Sequence, residues 1–280
     1  METFNADGLT FEVSDIGGTD VRNTILLLHG FPQDLTAWSD VAPQLVDAGY
    51  RVLMPNMRGY SPLACPPDRR RYGSPRLIAD LVTLLDTAGI GRVHVVGHDW
   101  GGALLWTMRK THAHRLASVT IVSTPHPRAL SWGWTHTNQL MRSWYMGAVA
   151  LPRLPEYVLQ RHLAQLVTRT SLPHSRANYY QSRFQTHPEL ATGALNWYRQ
   201  MLVEQVQPPR HEHPSGDPTP PTLYVAGDRD AYFNPSVVAH TALVDPSVTM
   251  STISGGHWLP ETHADELTVR VVDHVTRSTA

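Results

Sequence analysis

Gly97-His98-Asp99-Trp100-Gly101-Gly102-Ala103-Leu104 is the stretch on which the reading of this chain turns. It follows a strand-like run at residues 92–96 and opens an apolar, helix-forming segment, so it reads as a strand turning sharply into a helix. Gly97 and Gly101 flank Asp99 where, in so tight a turn, a side chain would collide with the sheet or the helix. Asp99 is thereby a candidate nucleophile near a helix N-terminus, where an anion is favoured. The plainer alternative is a carboxylate that only caps the helix.

Working outward, Thr24–Leu28 is a continuous apolar run ending at His29-Gly30, which suits a buried central strand. Trp38, Val41 and Leu45 share a helical face, with Gly49 as a stop, and residues 51–54 read as the next strand. Ser74-Pro75 reads as an N-cap followed by Pro at the first helical position, and Leu77, Leu81, Leu84, Leu85 and Ala88 keep the helical period up to Gly89. Residues 119–122 form another strand. Strands alternating with helices predict an α/β protein with a mostly parallel sheet covered on both faces. After Pro125 the pattern changes. Residues 128–209 hold no convincing strand, and Trp132, Trp134, Trp144, Tyr145, Trp197 and Tyr198 crowd there, which predicts a helical insertion. A Pro-rich return loop at 207–221, strands at 222–226 and 248–253, and a helix carrying Ala264, Leu267, Val271 and Val275 resume the core. The expected division is 1–127 core, 128–215 helical cap and 216–280 core.

His29-Gly30-Phe31-Pro32 followed by His98-Asp99-Trp100-Gly101-Gly102 resembles the epoxide hydrolase and haloalkane dehalogenase branch of the α/β-hydrolase superfamily, and the epoxide hydrolases within it most. The resemblance spans nearly the whole chain. It implies the α/β-hydrolase fold and a carboxylate nucleophile, Asp99, that attacks an alkyl carbon and leaves an ester which water then cleaves. The superfamily order of nucleophile, acid and histidine points downstream to two places. Thr222-Leu223-Tyr224-Val225-Ala226-Gly227-Asp228-Arg229-Asp230 is a strand running into an acidic loop, and Ser254-Gly255-Gly256-His257-Trp258 follows the last strand. Of 16 histidines, His257 alone stands in a Gly-flanked position after that strand. The family's Gly-x-x-Asp pattern picks Asp230 over Asp228 as the acid that orients and charges the imidazole. The resemblance also implies an oxyanion hole from the backbone N–H groups of Phe31 and Trp100.

An epoxide oxygen leaves well only if it receives a proton, which a neutral tyrosine can give. Asn196-Trp197-Tyr198-Arg199 resembles the segment carrying one cap tyrosine of epoxide hydrolases, and Trp144-Tyr145-Met146 aligns with the other. Tyr198 and Tyr145 are therefore the expected acids, with Tyr157, Tyr179 and Tyr180 as competitors for the second place. Phe31, Trp100, Trp144 and Trp197 are the expected pocket-lining residues, and their aromatic character leans toward an apolar or aryl epoxide opened to a vicinal diol. Three alternatives remain. Haloalkane dehalogenase could use Trp100 as a halide donor, though Phe31 stands where many dehalogenases have Asn. The others are a biosynthetic epoxide-opening enzyme and a non-catalytic binding homologue, whose expected sign, a broken relay, is not found.

Two departures from the family pattern stand out. Asn56 replaces the usual Asp, which predicts a local hydrogen-bonding difference, and Gln33 stands where many epoxide hydrolases have Glu. His211-Glu212-His213 has no evident third ligand, so no metal site is expected, and the resemblance implies no cofactor. The 280 residues suffice for one large core with an insertion. With 23 Lys and Arg against 24 Asp and Glu, nothing in the charge balance points to a nucleic acid or a membrane surface as partner; the partners that the resemblance implies are a small epoxide and water. The 16 histidines could make the surface positive below about pH 6. Cys65 is the only cysteine, the first ten residues lack an apolar h-region, and no run approaches the ~18 apolar residues of a membrane span. A cytoplasmic protein, monomeric or homo-oligomeric, is the expectation.

Overall fold

A computed structural model describes residues 1–149, 151–206 and 216–279. Within it an eight-stranded sheet is built from β1 (Thr3–Ala6), β2 (Leu9–Ile16), β3 (Thr24–Leu28), β4 (Arg51–Pro55), β5 (Val93–His98), β6 (Leu116–Val122), β7 (Thr222–Gly227) and β8 (Val248–Ile253), in the order β1-β2-β4-β3-β5-β6-β7-β8. From β4 to β8 every neighbouring pair is parallel, while β2 runs antiparallel to both β1 and β4. All five residues of β3 are buried, and their alternation sorts the core. Ile25 and Leu27 pack with Trp38, Leu45, Val271 and Val275 on one face, and Leu26 and Leu28 with Leu81, Leu85 and Leu105 on the other. One face thus carries α1 (Ala42–Asp47) and the C-terminal helix, and the other α2 (Ser74–Thr87) and α3 (Trp100–Thr111).

Between β6 and β7 the described chain is helical: α4 (Pro127–His136), α5 (Gln139–Arg142), α6 (Trp144–Ala148), α7 (Leu154–Thr168), α8 (His174–Thr186) and α9 (Pro188–Val206). After β7 come α10 (Pro235–Val244), α11 (Leu259–Thr262) and α12 (Ala264–Thr279). Residues 207–215 of the expected return loop, with His211-Glu212-His213, lie outside the described residues. None of the described helices is long and apolar enough to cross a membrane.

Two details differ from the sequence reading. Gly73, extended at φ −65° and ψ 146°, is the N-cap of α2, and Ser74 is its first residue, with its N–H and hydroxyl donating to Glu204 of α9 at 3.2 and 3.1 Å. The N-terminal hairpin β1–β2 adds two strands to those expected from the sequence. Asp7-Gly8, with φ of 50° and 72°, makes its two-residue turn.

Candidate active site

The site begins at the end of β5. Asp99 has φ 49° and ψ −114°, a conformation that costs a non-glycine residue about 1–3 kcal/mol and persists only where its surroundings enforce it. The enforcement is visible in the glycines. A Cβ on Gly97 would come within 2.6 Å of the Gly101 carbonyl carbon, and one on Gly101 within 2.5 Å of the Leu28 carbonyl oxygen. The turn is then pinned by Gly101 N–H donating to His29 O at 3.1 Å, and by Thr124 Oγ1 donating to Asp99 O at 2.8 Å.

The Asp99 carboxylate accepts the Phe31 N–H at 2.8 Å. Burial raises its pKa, while the charge of His257 and the backbone N–H groups of Phe31 and Trp100 act in the opposite direction. The two expected oxyanion donors thus converge on one carboxylate. Buried His29 sets the shape of the Phe31 loop. Its Nε2 accepts the Met57 N–H at 3.1 Å, so Nδ1 carries the proton and donates to Gly30 O at 2.9 Å. Burial holds its pKa at about 4, which keeps it neutral.

His257 follows β8. Its Nδ1 donates to Asp230 Oδ2 at 2.8 Å, and its Nε2 faces Asp99 Oδ1 at 4.0 Å. Asp230 is held in turn by the N–H groups of Tyr232 (2.8 Å) and Phe233 (3.2 Å) on its other oxygen. Asp228 points elsewhere. It is exposed, accepts the Ser254 hydroxyl at 3.1 Å and pairs with Arg229 at 3.5 Å. Burial alone would lower the His257 pKa; the charge and hydrogen bond of Asp230, with Asp99 behind them, more than offset it, and the net shift is upward.

The helices between β6 and β7 bring phenols to the same place. The Tyr198 ring, 4% exposed, lies 4.8 Å from Trp100, 5.3 Å from Phe31 and 6.1 Å from the ring of Tyr145. Burial raises both phenol pKa values well above the usual 10, and the Asp99 carboxylate adds to each. Both are therefore protonated, and neither donates a hydrogen bond among the described residues. The competitors are otherwise engaged: Tyr179 donates to Asp34 at 2.9 Å, Tyr180 to Glu261 at 2.6 Å, and Tyr157 is exposed. Trp197 is buried, 5.6 Å from Trp100, with its indole N–H on Arg58 O at 2.7 Å. Trp144 must be corrected. It is 72% exposed and lines nothing here. Adjacent residues of a helix diverge by about 100°, so α6 cannot turn both Trp144 and Tyr145 inward.

Sequence reasoning missed Tyr232, whose ring packs 4.7 Å from His257, and Glu261, whose carboxylate accepts Gln33 Nε2–H at 2.7 Å. Tyr232 stands two residues after Asp230, where a look at the acid loop would have found it. Glu261 had no signal, since its partner is 228 positions away. Asn56 acquires a reason. Its Oδ1 accepts the Leu35 N–H at 2.7 Å and its Nδ2 donates to Glu12 at 2.6 Å, a contact that an aspartate could not make.

This chain belongs to the alpha/beta hydrolase fold family, whose model matches residues 23–264. It is 28% identical to the AB hydrolase superfamily protein YfhM of Bacillus subtilis over 264 residues, covering 91% of this chain and 90% of that one. It is 45% identical to Epoxide hydrolase A of Mycobacterium tuberculosis over 106 residues, which cover 38% of this chain and 33% of that one. Among solved structures, one described with novel epoxide hydrolases of the alpha/beta hydrolases superfamily from metagenomes of hot environments is 26% identical. It superposes with a TM-score of 0.79 over 96% of this chain and 95% of that one.

Proposed function

We propose that this chain is an epoxide hydrolase that opens an organic, apolar or aryl epoxide to a vicinal diol through an ester on Asp99. The observation that carries the reading is the pair of protonated, uncommitted phenols of Tyr145 and Tyr198 in the field of the Asp99 carboxylate. The epoxide hydrolases among the similar proteins support it.

The helices α4 to α9, which cover most of the expected cap at 128–215, bring these phenols over the core. An Asp99 oxygen attacks a ring carbon, the carbon–oxygen bond of the ring breaks, and the departing oxygen takes a tyrosine proton. Positioned acids of this kind typically contribute about 10²–10⁴-fold. His257 Nε2, oriented by Asp230, then takes a proton from water, and the hydroxide adds to the ester carbonyl while the N–H groups of Phe31 and Trp100 hold the oxyanion. Collapse breaks the acyl bond and frees the diol. Of the water's two protons, one completes the second hydroxyl and the other restores the tyrosine. Phe31, Trp100 and Trp197 supply the apolar wall that favours an apolar substrate.

One observation favours a second reading, dehalogenation: the Trp100 indole N–H is buried and, the Tyr198 oxygen apart, has no hydrogen-bond partner among the described residues, as a halide donor would be. Turnover on matched panels of epoxides and haloalkanes decides between them. A single turnover in oxygen-18 water tests the ester, since the first diol released carries an oxygen from Asp99 and not from solvent. Label in that first diol would remove the covalent step, and haloalkane turnover with inert epoxides would establish the second reading.

A further inference from the structure

A second group of buried polar side chains stands behind His257. His98, the residue before Asp99, places Nε2 3.0 Å from the His257 carbonyl oxygen and Nδ1 2.8 Å from Gln33 Oε1. The same Oε1 accepts the Gly30 N–H at 3.0 Å. Gln33 Nε2 donates to Glu261 Oε2 at 2.7 Å, and Tyr180 of α8 donates to Glu261 Oε1 at 2.6 Å. Ser123 Oγ donates to the His257 carbonyl at 2.9 Å. All six side chains are buried.

Counting protons shows what this group needs. A backbone N–H can only donate, so Gly30 turns the Gln33 oxygen toward itself and His98, and the amide NH₂ toward Glu261. Both ring nitrogens of His98 then face oxygens. A neutral imidazole has one N–H and sets a lone pair against one of them. Turning the amide over relieves this only if Glu261 carries a proton to give to the Gln33 oxygen, and it sacrifices the Gly30 bond. In either arrangement the contacts of the group as a whole require one proton beyond those of a neutral imidazole and a carboxylate.

We infer that His98 and Glu261 share one proton across the Gln33 amide, and that Glu261, acting through Gln33 and His98, is a positioning residue for His257. The positioning half rests on His257 being the base of the proposed reaction; the shared proton does not.

The surroundings agree. His98 faces the rings of His257, at 4.9 Å, and Trp258, and the nearby His29 opposes its charge. Glu261 faces Gln33 and Tyr180, with Arg176 of α8 favouring its ionised form and Asp34 opposing it. Burial pushes the Glu261 carboxyl up to about 7 and drives the His98 pKa well down. A proton passed between the two leaves the buried group with no net charge wherever it sits, and the titration belongs to the pair. Losing it removes either the His98 N–H that holds the His257 carbonyl or the one that holds Gln33.

The test starts with the whole chain free of substrate. Ring nitrogen-15 NMR follows His98, assigned through a His98→Asn variant, and carbon-13 NMR follows the Glu261 carboxyl, as pH is raised. Both signals change together with one apparent pKa, and Glu261→Gln removes that transition from His98. A His98 ring signal that stays flat through the Glu261 transition overturns the inference whatever the substrate is. If Glu261→Gln does not fold, the wild-type titration alone decides. The second arm is single-turnover hydrolysis of the Asp99 ester. It slows about tenfold above the shared pKa, the worth of one hydrogen bond, and Glu261→Gln loses this alkaline limb. A limb unchanged in Glu261→Gln overturns the positioning role. If no ester forms on any epoxide, the proposed function has failed, and the NMR arm still decides whether the proton is shared.

Discussion

Replacing Asp230 by Asn changes one atom's chemistry and almost nothing in shape. Oδ1 of Asp230 accepts the N–H groups of Tyr232 and Phe233, so the oxygen of an asparagine stays on that side. Its NH₂ is then left facing His257 Nδ1, 2.8 Å away in the wild type. Two donors cannot share that contact, so His257 must present a lone pair at Nδ1 and carry its proton on Nε2. That nitrogen is the one facing Asp99 at 4.0 Å, and with a proton on it the ring cannot accept one from water. Hydrolysis of the Asp99 ester therefore falls about 10⁴-fold, the scale of the same change in a serine protease triad. The ester accumulates as added mass on the Asp99 peptide. The pH profile moves as well. Asp230 is the main cause of the raised His257 pKa, and the base works only when neutral, so activity disappears as pH falls through that pKa. Without the Asp230 charge the acid limb of residual hydrolysis shifts to lower pH. Asp228→Asn, at an exposed position bonded to Ser254, leaves both rate and profile in place. Rapid-quench kinetics with mass spectrometry measures both steps. Ester hydrolysis at the wild-type rate in Asp230→Asn, or greater damage from Asp228→Asn, would refute this assignment of the acid.

Three further outcomes follow. His257→Gln is alkylated by an epoxide and then stalls, whereas Asp99→Asn forms no ester unless its amide hydrolyses; intact-protein mass spectrometry separates the two, and steady turnover by His257→Gln would remove the histidine from the mechanism. Tyr145→Phe and Tyr198→Phe each slow alkylation, within the ~10²–10⁴-fold range of a general acid, and the double variant is hit much harder than either, while ester hydrolysis changes little; stopped-flow tryptophan fluorescence resolves the steps, and wild-type alkylation in the double variant would make the phenols packing residues. Asn56→Asp sets a carboxylate against that of Glu12, 2.6 Å from the present amide nitrogen, and lowers stability by about 1 kcal/mol in urea denaturation, an effect that Glu12→Gln relieves.

The local sequence determined the elements and the elbow. The apolar run Thr24–Leu28 and strand Val248–Ile253 were legible from their composition, and Gly97 and Gly101 marked the turn because any side chain there meets backbone atoms that cannot move. A Gly-flanked histidine after the last strand was legible in the same way. Such features lie within a few residues of one another, where steric limits and hydrophobic periodicity act directly. Tertiary structure decided the rest. Whether Asp228 or Asp230 meets His257 depends on how the loop after β7 closes over the one after β8. Whether Trp144 or Tyr145 turns inward depends on the rotation of α6, which neither side chain fixes. Gln33 and Glu261 find each other only because β3 and the segment after β8 end at the same side of the sheet. A hydrogen bond spanning 228 residues leaves no trace in either local stretch, since each partner there is merely a polar side chain until the other is packed against it.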